Sequence, residues 1–313
     1  MSGEARIVVE GVSKRFGATQ ALEDVSVSFR AGEAHALMGE NGAGKSTLGK
    51  VIAGLHRPDA GSVVIDGRPL RLGSVDDAFD AGVRIVHQEL AQCANLSVAE
   101  NLCLHATPRT RLGLVDFHAM ARRAEKLLAE LEPGIDVQAP LGSLAPGRRQ
   151  ICQIAAALDD TAARPGGSPA KVIVLDEPTS SLSLAETERL LQIVRDLTAR
   201  GLTMIYVSHR MGEIFACCDR VTVLRDGRWV ATSDVKQIDE PALIEQMIGR
   251  RVAIESAPSA AQPDAAPRLR VDGLSSPGVL HDISLHVAPG EIVGLGGQVG
   301  AGRSELLEIG RAH

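Results

Sequence analysis

Apolar residues recur with a period of two over residues 6–9 and 22–29, a turn sits at Ala31-Gly-Glu33, and residues 34–38 are an apolar run. That pattern predicts short strands joined by turns. Helical spacing takes over across residues 46–55. A strand is expected over 62–66, closed by Gly67, and another over 83–87, running into Gln88. Residues 97–160 read as mostly helical, with apolar positions at helical spacing over 119–131 and a further helix over 149–158. Residues 162–169 read as a Gly/Pro/Ala loop. The continuous run Lys171-Val-Ile-Val-Leu175 predicts a strand buried on both faces, as in a parallel sheet. A helix over 184–200, a strand over 203–208 and a strand over 221–224 closed by Asp226-Gly227 complete the first part. Residues 256–267, rich in Ala and Pro, read as a linker. Strands alternating with helices predict an α/β fold.

Composition narrows the core. Apolar residues make up 44% of the 313 positions but aromatics only 2%, so the interior must be built from Leu, Val, Ile and Ala. The length suits one large or two modest domains. A net charge of −6, with acids and bases interspersed, argues against nucleic acid as the main ligand. Cysteines at 93, 103, 152, 217 and 218 show no C-x-x-C spacing. They read as reduced thiols of a cytosolic protein rather than a disulfide frame or zinc site. No apolar signal run is present at the N-terminus, and no stretch approaches about 18 consecutive apolar residues, so a membrane role is expected to run through a partner.

The chain also repeats itself. Ala21-Leu-Glu-Asp-Val-Ser-Val-Ser-Phe-Arg-Ala-Gly-Glu33 returns as Val279-Leu-His-Asp-Ile-Ser-Leu-His-Val-Ala-Pro-Gly-Glu291. Gly32 matches Gly290 and Gly44 matches Gly302 at one constant offset. Gly297-Gln-Val-Gly-Ala-Gly-Arg303-Ser304 therefore falls on Gly39-Glu40-Asn41-Gly42-Ala43-Gly44-Lys45-Ser46, the run that Thr47 follows, with Arg303 where Lys45 stands.

That first segment is a phosphate-binding loop of the G-x-x-x-x-G-K-[ST] kind, set between an expected strand and an expected helix. Its glycines let successive backbone N–H groups face phosphates, and the helix N-terminus adds partial positive charge. Lys45 can reach the β- and γ-phosphates, and the Ser46 hydroxyl can ligate Mg²⁺. Downstream, Val172-Ile-Val-Leu-Asp176-Glu177-Pro178 ends a strand in two acids. After such a loop, Asp176 is expected in the Mg²⁺ shell and Glu177 is placed to polarise a water against the γ-phosphate. His209 closes the next strand, on the side where ligands bind in α/β sheets. Gln88, at the end of another strand, could equally be a polar cap.

Together these residues make the chain resemble an ATP-binding-cassette protein, over nearly all of residues 5–250 and again from 268. Within that superfamily it resembles the tandem ATPase subunits of bacterial monosaccharide importers of the ribose, xylose or galactose type. The resemblance is carried by Gly-Glu-Asn-Gly-Ala-Gly-Lys-Ser-Thr, Val-His-Gln-Glu-Leu, Leu-Asp-Glu-Pro-Thr-Ser-Ser-Leu, Tyr-Val-Ser-His-Arg-Met-Gly-Glu-Ile-Phe, Val-Leu-Arg-Asp-Gly and the second loop with arginine. It implies a P-loop NTPase cassette with a mixed β-core, an antiparallel β-subdomain and a helical subdomain at about residues 90–160. A linker at 251–267 and the N-terminal part of a second cassette at 268–313 would follow. It implies ATP and Mg²⁺ as ligands, with Phe16 stacking on adenine and His209 as the switch histidine. Gln88 would couple the γ-phosphate and metal to the groove for the membrane subunit. Partners would be a membrane permease, a periplasmic sugar-binding protein and a second cassette. The place of action would be the cytoplasmic face of the bacterial membrane.

Two departures belong together. The family's signature loop, Leu-Ser-x-Gly-Gln, reads Leu144-Ala145-Pro146-Gly147-Arg148 here, so a methyl replaces the serine hydroxyl. The lost charge-assisted bond is worth roughly 1.5–3 kcal/mol; the Arg148 charge is a candidate compensation. In a head-to-tail cassette pair that loop would face the Arg303 loop. The expectation is one impaired composite site and one working site, the latter using Lys45, Gln88, Asp176, Glu177 and His209 with a signature loop from a second cassette. The chain is accordingly expected to be part of a longer tandem protein. The alternatives weighed are a cassette that binds ATP without turnover and a soluble cassette acting on ribosomes or DNA. The second is disfavoured by the acidic charge and the lack of a coiled-coil insertion or basic arm. A small-molecule kinase is disfavoured by Asp176-Glu177-Pro178 followed by His209.

Overall fold

The structure, a computed structural model, describes residues 4–87, 92–160, 167–250, 266–297 and 300–309. It divides into two compact units, Met1–Val252 and Ala253–His313.

In the first unit β1 (Ala5–Phe16) and β2 (Thr19–Arg30) form an antiparallel hairpin. Both strands run twelve residues, longer than the pattern suggested, because the ladder continues through irregularities in register between Val9 and Lys14. Gly11 and Asp24 take positive φ there, and the side chains of Ser26 and Ser13 accept their N–H groups at 2.9 and 3.0 Å. Hydroxyls thus satisfy backbone donors that the interrupted ladder leaves free.

β3 (Ala34–Met38) enters the phosphate loop and α1 (Lys45–Ile52) leaves it. β4 (Ala60–Ile65) and β5 (Arg68–Pro69) complete a sheet ordered β2-β1-β4-β5. Next come α2 (Val75–Asp80), β6 (Val83–Val86), α3 (Val98–Leu102), α4 (Phe117–Ala129) and α5 (Pro146–Ala157). The stretch 97–160 holds less helix than its apolar spacing suggested. Pro108, Gly113, Pro133-Gly134 and Pro140 keep the segments between these helices irregular. α5 begins three residues earlier than expected because Pro146 suits the first helical turn.

β7 (Val172–Asp176), α6 (Leu184–Ala199), β8 (Thr203–Val207), α7 (Met211–Cys217), β9 (Arg220–Arg225), β10 (Arg228–Asp234) and α8 (Glu240–Ile248) close the unit. The central sheet is ordered β10-β9-β3-β8-β7-β6, parallel throughout except for the β9–β10 pair. Every residue of β3, β7 and β8 is buried, which is why those strands read as unbroken apolar runs. Their alternate side chains feed two cores. Leu37, Val172, Val174, Ile205 and Val207 join α1 and the antiparallel sheet. Ala36, Met38, Ile173, Leu175 and Met204 join the helical side. Phe29 and Tyr206 are the aromatic side chains among the largest fully buried ones, so aliphatic residues carry the interior. All five cysteines are free thiols. Among the described residues no helix is long and apolar enough to cross a membrane.

The second unit holds the hairpin β11 (Leu269–Ser276) and β12 (Leu280–Val287), then α9 (Arg303–Glu308). The first unit's bulge recurs: Gly273 and Asp282 take positive φ, and Ser284 and Ser275 accept their N–H groups, each at 2.9 Å. The repeat seen in sequence is thus a repeat of hydrogen bonds. Most of the linker and most of residues 162–169 lie outside the described residues.

Candidate nucleotide site

The phosphate loop is shaped by its glycines. Gly39 and Gly44 have φ of 149° and 97°. A Cβ on Gly39 would collide with the Leu224 carbonyl oxygen, and one on Gly44 would stand 2.5 Å from the Ala21 carbonyl oxygen. Neighbouring backbone therefore permits no side chain at either end of the loop. Glu40, Asn41 and Gly42 line its exposed rim, Ala43 is buried beneath it, and Thr47 is half-buried on the first turn of α1. The buried Lys45 ammonium donates to the carbonyls of Gly39 and Glu40, each at 2.9 Å. Burial lowers its pKa, opposed by the charges of Glu177 and Asp176. The lysine is thus held over the loop with two carboxylates in its field.

Parallel pairing brings the carboxyl ends of β3, β7 and β8 side by side. Ser46 donates to Asp176 Oδ1 at 2.7 Å, joining residues 130 apart in sequence. Glu177 sits just past β7 in a left-handed conformation, φ 47°, with its N–H bonded to the Val207 carbonyl at 3.0 Å. Such backbone strain costs of order 1–3 kcal/mol and concentrates at working sites. It presents the Glu177 carboxylate to the ring of His209, Nδ1 to Oε1 3.3 Å. His209 is half-exposed and Glu177 mostly covered. One edge of the sheet therefore presents an ammonium, a hydroxyl–carboxylate pair and a carboxylate–imidazole pair.

Among the described residues no cluster of three His, Cys, Asp or Glu could hold a metal by itself. Ser46 and Asp176 are hard oxygen ligands within hydrogen-bond distance of each other. That suits Mg²⁺, which takes one or two protein oxygens and completes its shell with phosphate and water.

Other expected residues are placed less centrally. Phe16 ends β1, partly exposed, edge-to-face against His56 with ring centroids 5.2 Å apart. Gln88 lies outside the described residues, as do Gln298 and Val299 of the second loop. The altered signature segment leads into α5, where no side chain caps the helix. Instead Glu186, which also caps α6 with Ser183, accepts the Gly147 N–H at 2.8 Å. Arg148 faces Glu132 at 3.9 Å, a carboxylate that Arg189 also holds at 2.9 Å. The charge considered as compensation is therefore already partnered. Arg303 is exposed in its own unit.

Sequence reasoning assigned no role to Glu213. This buried carboxylate accepts from Thr179, Tyr206 and Ser208 at 2.7, 2.9 and 3.0 Å. Burial, followed by the nearby Glu213 charge, pushes the Tyr206 phenol pKa up. Its only sequence signal is an acid four residues after His209, at the start of a helix.

A mixed sheet with a phosphate loop between its central strand and the next helix, and paired acids at the end of a parallel strand two places away, defines a nucleotide-binding cassette. The chain belongs to the ABC transporter family, whose model matches residues 22–180. It is 41% identical to a ribose import ATP-binding protein of Chromobacterium violaceum, over 97% of this chain and 59% of that protein. It is 45% identical to an arabinose import ATP-binding protein of Burkholderia ambifaria, over 98% of this chain and 57% of that one. The chain thus spans just under three-fifths of the length of the curated relatives it matches. A crystal structure of an ATP-binding cassette in its ADP conformation has the same fold, at 24% identity and a TM-score of 0.66, covering 79% of this chain and all of that one.

Proposed function

We propose that the chain is the ATP-binding and ATP-hydrolysing part of a machine that drives sugar import through a membrane permease. The observation that carries the reading is the convergence at the ends of β3, β7 and β8: Lys45 over its loop, Ser46 on Asp176, and Glu177 against His209. Likeness to sugar-import ATP-binding proteins along nearly the whole chain supports the transport role.

Residues 39–47 cradle the phosphates and Phe16 stacks on the adenine. Ser46, Asp176 and Gln88 would hold Mg²⁺, which would supply neutralising charge to the phosphate oxygens. Glu177 orients and polarises the attacking water, Lys45 spreads the developing charge, and His209 senses the γ-phosphate through its ring. Sugar is recognised elsewhere, by the permease and a periplasmic binding protein. The chain works at the cytoplasmic face of the membrane.

The working site takes its signature loop from a second cassette. The loop at 144–148 serves the weaker site, because Ala145 offers no hydroxyl and Glu186 already takes the Gly147 N–H.

ATP turnover by the purified chain, alone and with its permease, tests this reading beside Glu177→Gln. The substitution is expected to cut kcat by about 10²–10³-fold while nucleotide still binds. A chain that binds no nucleotide in any setting would overturn the reading.

A further inference from the structure

We propose that Glu213 is a positioning residue that locks the Glu177 and His209 loops into one hydrolytic unit; this rests on the ATPase reading above. Glu213 lies on α7, buried, and its carboxylate bonds to both loops. Oε1 accepts from Thr179, two residues past Glu177, and faces the Arg210 guanidinium at 3.5 Å. Oε2 accepts from the hydroxyl of Ser208, immediately before His209, and from Tyr206 within β8. Ser208 in turn accepts the Arg210 N–H at 3.0 Å. One carboxylate therefore ties the chain leaving β7 to the chain leaving β8.

An apolar side chain would pack a buried position of this kind more cheaply, because a carboxylate must recover its lost hydration through hydrogen bonds. Here three hydroxyls supply them, and they come from the two segments whose spacing sets the Glu177–His209 contact. That contact is long, 3.3 Å, and His209 is half-exposed, so its geometry depends on what lies beneath. A water held for in-line attack tolerates little displacement of its base.

The test is a double-substitution cycle on the full 313-residue chain with isotope-labelled histidine. His209→Gln assigns the His209 ring signal. Glu177→Gln should shift that signal strongly in the native background. In a Glu213→Gln background the same change should shift it by less than half as much. Thr179→Val, which cuts one tie with little change in shape, should weaken the coupling in the same direction. In turnover, Glu213→Gln should lower kcat about tenfold or more with nucleotide affinity within about twofold. A folded Glu213→Gln or Thr179→Val chain with undiminished Glu177–His209 coupling would overturn the positioning role. A wild-type chain that binds no nucleotide, or that fails to turn over ATP with permease and a complete second cassette both present, would instead overturn the ATPase reading, while the histidine signals still decide the role of Glu213.

Discussion

The Lys45 loop and the Arg303 loop begin from nearly the same text and finish differently. Both follow a bulged hairpin with the same serine-to-backbone bonds. Both enter a helix through a left-handed glycine, Gly44 at φ 97° and Gly302 at φ 81°. Between hairpin and loop the two part. Residues 34–38 are a fully buried strand between β8 and β9, whereas residues 291–297 adopt no strand among the described residues, with Ile292 98% exposed. Leu37 has no exposure while Leu295, its repeat partner, is half-buried. Hairpins and glycine turns are made by neighbours in sequence; a central parallel strand is made by partners as far apart as His35 and Arg220, and its burial comes from them.

Stability should divide along that line most strongly. Leu37→Ala is expected to cost about 2–5 kcal/mol in urea unfolding followed by circular dichroism. Leu295→Ala should cost less than about 1 kcal/mol. Equal losses would mean that residues 291–297 are packed as tightly as β3. Nucleotide binding should divide next. Lys45→Ala should weaken binding of a fluorescent ATP analogue about 10–100-fold by removing a charge-assisted donor. Arg303→Ala should leave it within about twofold. A comparable loss for both would make the two loops functional equals.

The smallest effect concerns His35, whose repeat counterpart is the half-exposed Val293. His35 is fully buried in β3, with its ring nitrogens on Glu33 and Thr222 at 2.9 and 2.7 Å. Burial lowers its pKa, and the Glu33 hydrogen bond opposes this. The unfolded chain, with histidine near its ordinary value of about 6.5, takes up the proton first as pH falls. The stability His35 contributes is complete above that value and declines below it, down through the lowered folded pKa. Tm measured from pH 7.5 to 5.5 should fall less steeply in His35→Gln. An unchanged slope would place the sensitivity elsewhere.

Much of the site was readable because each element is announced locally. Gly39, Gly44 and Lys45 have a spacing that few loops other than a phosphate cradle demand, and Asp176-Glu177 closes a short β-branched apolar run of the kind a buried parallel strand carries. What escaped reading were contacts without local periodicity. Glu213 beneath the two loops, Glu186 on the Gly147 N–H and Arg148 on Glu132 each join segments that meet only after the sheet and helices assemble. The short helices α2, α7 and α8 escaped for a related reason: six to nine residues carry too few turns for a clear apolar stripe.

By itself the sequence determined the α/β class, the internal repeat, the phosphate loop and the acids expected around it, because glycine conformation, turn chemistry and strand burial act over a few neighbouring residues. Only the tertiary structure decided that Ser46 meets Asp176, that Glu177 is strained toward His209, and that Glu213 ties their loops together. Those outcomes depend on strands far apart in the chain pairing in parallel, and that pairing leaves little trace in the local order of residues.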